Sequence, residues 1–161
     1  MKRVLTIGVL VFIFSLFEFI VFNLLGPWFT PNLLIILIIF FNLYLGIRYS
    51  ILTAALAGLI KDSFTVNYFG LNIFSFILCA YLITLIKKYL YQVGSLSHRV
   101  VLVFLISILN TMIHFVLLSM FITLDFRQVM LSVLLPEVAL TVVVSDYVFK
   151  RLKQCMAWVG I

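Results

Sequence analysis

A chain of 161 residues that is 66% hydrophobic and only 10% charged cannot hide its apolar surplus in a water-soluble core, because soluble domains carry about 25% charged residues. With a mean hydropathy of +1.33, much of the side-chain surface must face hydrocarbon. The net charge of +6 is not a nucleic-acid footprint. The cations sit at the ends of apolar runs rather than on one solvated face, which suits anchoring to an anionic leaflet.

The first run, Val4 to Leu25, follows Lys2 and Arg3 and contains Glu18. It imitates a signal peptide but is too long, carries an acid and lacks a small-residue cleavage site, so a retained helix is expected. Gly26, Pro27 and Pro31 then break the chain, with Trp28 placed for an outer interface. The second run spans Asn32 to Ile47, with Arg48 and Tyr49 at an inner interface. The third, Ser50 to Ile60, ends at Lys61-Asp62-Ser63. Its eleven residues rise only about 16 Å as a helix. Even extended to Val66, this span is expected to be short or broken. The fourth run is Gly70 to Ile86, closed by Lys87 and Lys88; the fifth is Val100 to Leu124; the sixth is Val129 to Phe149, closed by Lys150 and Arg151.

Threading these runs through a bilayer puts nine of the eleven basic residues on one side. Translocating Lys and Arg is costly, so that side is cytoplasmic. The expected architecture is an all-α integral membrane protein: one six-span helical bundle with both termini cytoplasmic. A re-entrant third segment would leave five spans and put Lys87, Lys88, Arg99, Lys150, Arg151 and Lys153 outside, against the charge rule.

The longest cytoplasmic break, Lys87 to Arg99, has thirteen residues, too few for a soluble catalytic domain. There is no P-loop, GxGxxG or HExxH motif. Cys79 lies within an apolar run and Cys155 near the cytoplasmic tail, with no disulfide or metal spacing. Any chemistry must therefore occur inside the membrane or in partners, and no cofactor or metal is expected.

Ionisable groups at membrane depth are expensive and usually face a bundle interior. Counting from the inner boundary, Glu18, His114 and Glu137 share a height of about 20 to 22 Å, and Asp62 reaches it if its helix is unbroken. Ser107, Asn110, Thr111 and His114 form one helical face; so do Glu137, Thr141 and Ser145, and Asn72, Ser75 and Cys79. These stripes are expected to converge, with Glu137 near His114 and Lys61. They could make a proton or ligand site, or serve as polar contacts between helices. Pro136 is expected to kink the helix beside Glu137. Ala54, Ala55, Ala57 and Gly58 give the third span a small-residue face for close internal packing, a docking surface being the alternative. Asp146 is spaced for a pair with Lys150. Asp125 and Arg127 read as an outer loop.

The stretch from Pro31 to Asn72 resembles the rod shape-determining protein MreD family. Pro31-Asn32-Leu33-Leu34 opens an apolar helix with Gly46 near its end; Gly58-Leu59-Ile60-Lys61-Asp62 and Phe69-Gly70-Leu71-Asn72 follow in order. Chain length, six apolar runs and a basic inner face agree with this. Pro136-Glu137 departs from the pattern, so the resemblance implies no role for Glu137. It implies a place in the bacterial cell-elongation machinery that lays down lateral peptidoglycan, in the cytoplasmic (inner) membrane. The implied partners are an MreC-type single-span protein, an MreB-type filament, and a SEDS glycosyltransferase with a class B penicillin-binding protein. It implies a fold like the substrate-binding subunit of energy-coupling-factor vitamin transporters. Pro31, Asn32, Gly58, Asp62, Gly70 and Asn72 carry over, with mostly architectural roles.

Three functions then compete. A non-catalytic scaffold needs no soluble domain and fits the chain best. A small-molecule (vitamin-like) binding subunit of a transporter is the alternative, with Glu18, Asn72, His114 and Glu137 as convergent polar groups. An intramembrane enzyme is the weakest reading, since one usable His lacks a partner motif.

Overall fold

The computed structural model describes residues 2–26, 30–64, 69–90, 96–121 and 135–159. Among these, the chain forms six helices and no strand: α1 (Lys2–Leu25), α2 (Leu33–Leu45), α3 (Ile47–Phe64), α4 (Leu71–Leu90), α5 (Leu96–Ser119) and α6 (Leu135–Val159). Among the described residues, three stretches, Arg3–Leu24, Leu71–Tyr89 and His98–Ser119, are long and apolar enough to cross a membrane. With α1 presenting Phe12, Ile13, Phe17 and Ile20 outward, this is a membrane protein. Of the rest, α2 is apolar but short, while α3 and α6 owe their lower hydropathy chiefly to charged residues: Arg48, Lys61 and Asp62 in α3, and Glu137, Asp146, Lys150, Arg151 and Lys153 in α6.

α2 is the axis of the bundle. It touches all five other helices, and every residue from Leu33 to Asn42 is buried. A helix apolar on all sides is stable when it is wrapped, and Leu, Ile and Phe supply that circumference. Asn32 caps its start, the Ile35 N–H donating to Asn32 Oδ1 at 3.3 Å. At its other end Gly46 adopts φ +92° and its N–H donates to the Phe41 carbonyl. Only glycine takes this left-handed turn without strain. Lys87 of α4 fills the gap, its Nζ donating to the carbonyls of Asn42 at 3.2 Å and Leu43 at 3.0 Å. Asn42 in turn donates from Nδ2 to the Ala80 carbonyl and to Thr84 Oγ1, each at 2.9 Å.

α3 runs without a break for 18 residues, through Lys61 and Asp62, so of the two expectations for the third span it is short, about 27 Å, and not broken over these residues. Gly46 separates it from α2. Ala54 and Ala57 are fully buried, and Gly58 lies against α4 so closely that a Cβ there would be 2.4 Å from Ile73 Cα. The small-residue face is thus used inside the bundle.

Asp62, which is 1% exposed, lies within α3 and caps the start of α4. Its Oδ2 accepts from the N–H groups of Gly70 (3.0 Å) and Ile73 (3.1 Å), and its Oδ1 from Asn72 N–H (3.1 Å) and Asn72 Nδ2 (2.8 Å). The first N–H groups of a helix have no intrahelical acceptor, and a carboxylate there also meets the positive end of the macrodipole. Gly70, at φ +103°, turns the chain into that position.

α5 docks on α4 through Ser75, whose Oγ donates to Asn110 Oδ1 at 2.8 Å. α6 runs past Phe149, the expected end of the sixth span, to Val159, because Leu152 and Met156 extend the buried face of Val148 and Phe149. Pro136 stands at the edge of the described residues, and the kink expected there falls outside them. Residues 122–134 lie outside the described residues, and with them the end of the predicted fifth span, the start of the sixth, and Asp125 and Arg127.

Candidate functional site: a polar cavity at one end of the bundle

A helix bundle closes tightly only where its side chains interdigitate. At the end formed by the C-terminal parts of α1 and α3 and the N-terminal parts of α2 and α6, it does not. A partly open cavity of about 280 Å³ remains there, with Ser15, Glu18 and Phe19 of α1 on one side and Lys61 and Phe64 of α3 on another. Thr30 and Asn32 come from the approach to α2, and Glu137 from the start of α6. This end lies opposite the one carrying Lys87, Lys150 and Arg151.

Each wall has a local reason. Glu18 projects from the inner side of α1, and Lys61 Nζ donates to Glu18 Oε1 at 2.8 Å. The side chains of this pair are 30% and 14% exposed, so each ion is largely out of water. The second oxygen, Glu18 Oε2, is buried without a hydrogen-bond partner. Lys61 also stands 5.6 Å from the Phe76 ring centroid. Asn32 binds α6 twice. Its backbone N–H donates to Thr141 Oγ1 at 2.9 Å, and its Nδ2 to Glu137 Oε1 at 3.0 Å. Thr141 Oγ1 donates to the Glu137 carbonyl at 2.6 Å, one turn back. Pro31 sets the entry to α2, its carbonyl accepting from Leu33 N–H. Phe19 and Phe64 stack at the rim, with centroids 5.2 Å apart.

The structure therefore brings Glu18, Asn32, Lys61 and Glu137 together. His114 is half-buried on α5 but does not line the cavity. Asn72 is committed to Asp62. Ala54, Gly58, Asp62, Gly70 and Asn72 belong to the seam between α3 and α4 and hold that seam closed. The inward stripes separate into two clusters, Ser75, Cys79 and Asn110 between α4 and α5, and the cavity group between α1, α2, α3 and α6. Among the described residues, no group of three or more His, Cys, Asp or Glu side chains is placed to hold a metal ion. The cysteines are free, Cys79 buried and Cys155 exposed.

Two structural residues escaped the sequence reading. Lys87 looked like a membrane anchor, yet it caps α2; Asn42 was one amide in an apolar run. A lone amide in an otherwise unbroken apolar helix was the available signal, because buried amides need partners.

Neither the curated proteins nor the solved structures compared with this chain give a match. A family model described as rod shape-determining protein MreD matches residues 2–150. That covers all six helices apart from the cytoplasm-directed tail expected of the last, and it includes both the capped seam and the cavity. The chain belongs to the MreD family of rod shape-determining proteins.

Proposed function

We propose that the chain is a non-catalytic membrane scaffold of the bacterial cell-elongation complex, supporting lateral peptidoglycan synthesis. It crosses the inner membrane six times with both termini cytoplasmic, and it engages an MreC-type single-span protein. An MreB-type filament and a SEDS glycosyltransferase with its class B penicillin-binding protein act in the same complex. The observation that carries this reading is how the family-motif polar groups are used. Asp62 holds four hydrogen bonds within the α3–α4 seam and Asn32 ties α2 to α6, so these residues are spent on architecture. The apolar outer face of α1 is left for lipid or for another span. Co-purification after crosslinking in bacterial membranes tests it: a single-span coiled-coil partner is expected, and its absence would overturn the scaffold.

The cavity supports a second reading, a small-molecule binding subunit with a bundle like that of energy-coupling-factor vitamin carriers. Six helices and a polar recess at the outer end are in keeping with it. Recovery of a tightly held vitamin-like compound with no single-span partner would favour this alternative.

A further inference from the structure

α1 is held unevenly. It is the least embedded of the three long apolar spans, 22% of it buried against 33% for the stretches in α4 and α5. Ile7, Leu10, Val11 and Ser15 bury its N-terminal part, whereas no residue from Leu16 to Leu24 is buried. Ser15 and Asn23 turn their side-chain hydrogen bonds back onto α1 itself, at the carbonyls of Val11 and Phe19. Two side-chain contacts fasten the C-terminal part to α3: the 2.8 Å bond from Lys61 Nζ to Glu18 Oε1 and the Phe19–Phe64 stack.

Lys61 faces a second acid. Glu137 lines the same cavity from α6, its charge acts on Lys61, and Asn32 steadies its Oε1. Among the described residues lining the cavity, Lys61 is the one cation, so two carboxylates on different helices share it. Parting a buried cation from both acids is costly, but exchanging one carboxylate for the other keeps a pair intact, and the flexible four-carbon stem of lysine permits the exchange. The pairing with Glu18 also carries a penalty of its own, because Glu18 Oε2 is buried without a partner.

We propose that Lys61 is a two-position latch for α1. Paired with Glu18, it holds α1 against α3, the arrangement seen here. Turned to Glu137, it frees the C-terminal part of α1 to tilt away from its buried N-terminal part. The Phe19–Phe64 stack then parts, Glu18 is exposed to water at the cavity mouth, and the cavity opens sideways toward lipid. The balance between the two states is set by the difference between the two pairings. Neither state requires a partner protein.

The distance between spin labels on Ile20→Cys of α1 and Phe74→Cys of α4, residues that are 52% and 56% exposed, reads the latch. It is measured by double electron–electron resonance on the full chain in nanodiscs, in a Cys155→Ser background, since Cys79 is wholly buried. The wild-type protein should show a main distance and a detectable longer one. Glu18→Gln removes the closing acid and should raise the longer population relative to the shorter by about tenfold, as is usual for linked equilibria. Glu137→Gln removes the opening acid and should deplete the longer population. Labels on Phe74→Cys and Val116→Cys, across the α4–α5 contact, should be unmoved by either. An ion pair with only a structural role would loosen α1 in Glu18→Gln and leave Glu137→Gln like the wild type. That result overturns the latch, as do shifts in the same direction, a single wild-type distance, or an equal shift in the control pair. Where Glu18→Gln fails to fold by circular dichroism, Glu137→Gln decides alone, and a longer population that persists undiminished overturns the latch.

Discussion

Replacing Asp62 with alanine removes the acceptor for three backbone N–H groups, those of Gly70, Asn72 and Ile73, and for the Asn72 amide. Water cannot easily substitute, because Asp62 is 1% and Asn72 6% exposed. Each buried donor left unmade costs about 1–3 kcal/mol. Some of that is recovered as the first turn of α4 frays toward Gly70. A net destabilisation of about 3–5 kcal/mol is therefore expected, well above the ~0.5–2 kcal/mol of an ordinary helix cap. Asp62→Asn should fall between, since one oxygen persists while the new amide faces N–H donors. The assay is reversible unfolding of the purified protein in mixed micelles, followed by circular dichroism. Asp146→Ala is the control. Its pair with Lys150 at 2.7 Å is an exposed contact between neighbouring turns, and no measurable change is expected. An Asp62→Ala variant as stable as that control would refute the assignment of Asp62 as the cap of α4.

Gly58→Val should destabilise by about 2–3 kcal/mol and loosen the α3–α4 contact, since even the Cβ would meet Ile73 Cα at 2.4 Å; cysteine crosslinking across the seam and the same unfolding assay would read this. Lys61→Met leaves Glu18 without its 2.8 Å partner and should cost roughly 2 kcal/mol. The Glu18→Gln, Lys61→Met double variant should recover at least half of that loss, and additive effects in the cycle would refute coupling. A reporter fused after Ile161 should remain cytoplasmic in intact bacteria, as the basic residues demand; a periplasmic reporter would invalidate the six-crossing map.

Sequence periodicity made much of the bundle legible. Inward polar stripes are visible because a buried face must repeat every third or fourth residue: Ser107, Asn110 and Thr111 are buried where that rule puts them. A common height for Glu18 and Glu137 follows from helix rise alone, and both line the same cavity. What pairs with what was not legible. Height does not fix azimuth, so His114 shares the level but not the cavity, and Asp62 turns away to the next helix. The turn between α2 and α3 falls at Gly46, within two residues of the Ile47 end read from Arg48 and Tyr49, because a glycine and a cation both mark the end of an apolar run.

The most apolar segment of the chain is shielded from lipid over Leu33 to Asn42. Thirteen residues make α2 about 20 Å long, shorter than the roughly 30 Å of a hydrocarbon core. A bare helix of that length would force the bilayer to thin. Enclosed by its neighbours from Leu33 to Asn42, α2 answers to their shapes instead, and adapting to thick or thin membranes is left to the outer helices.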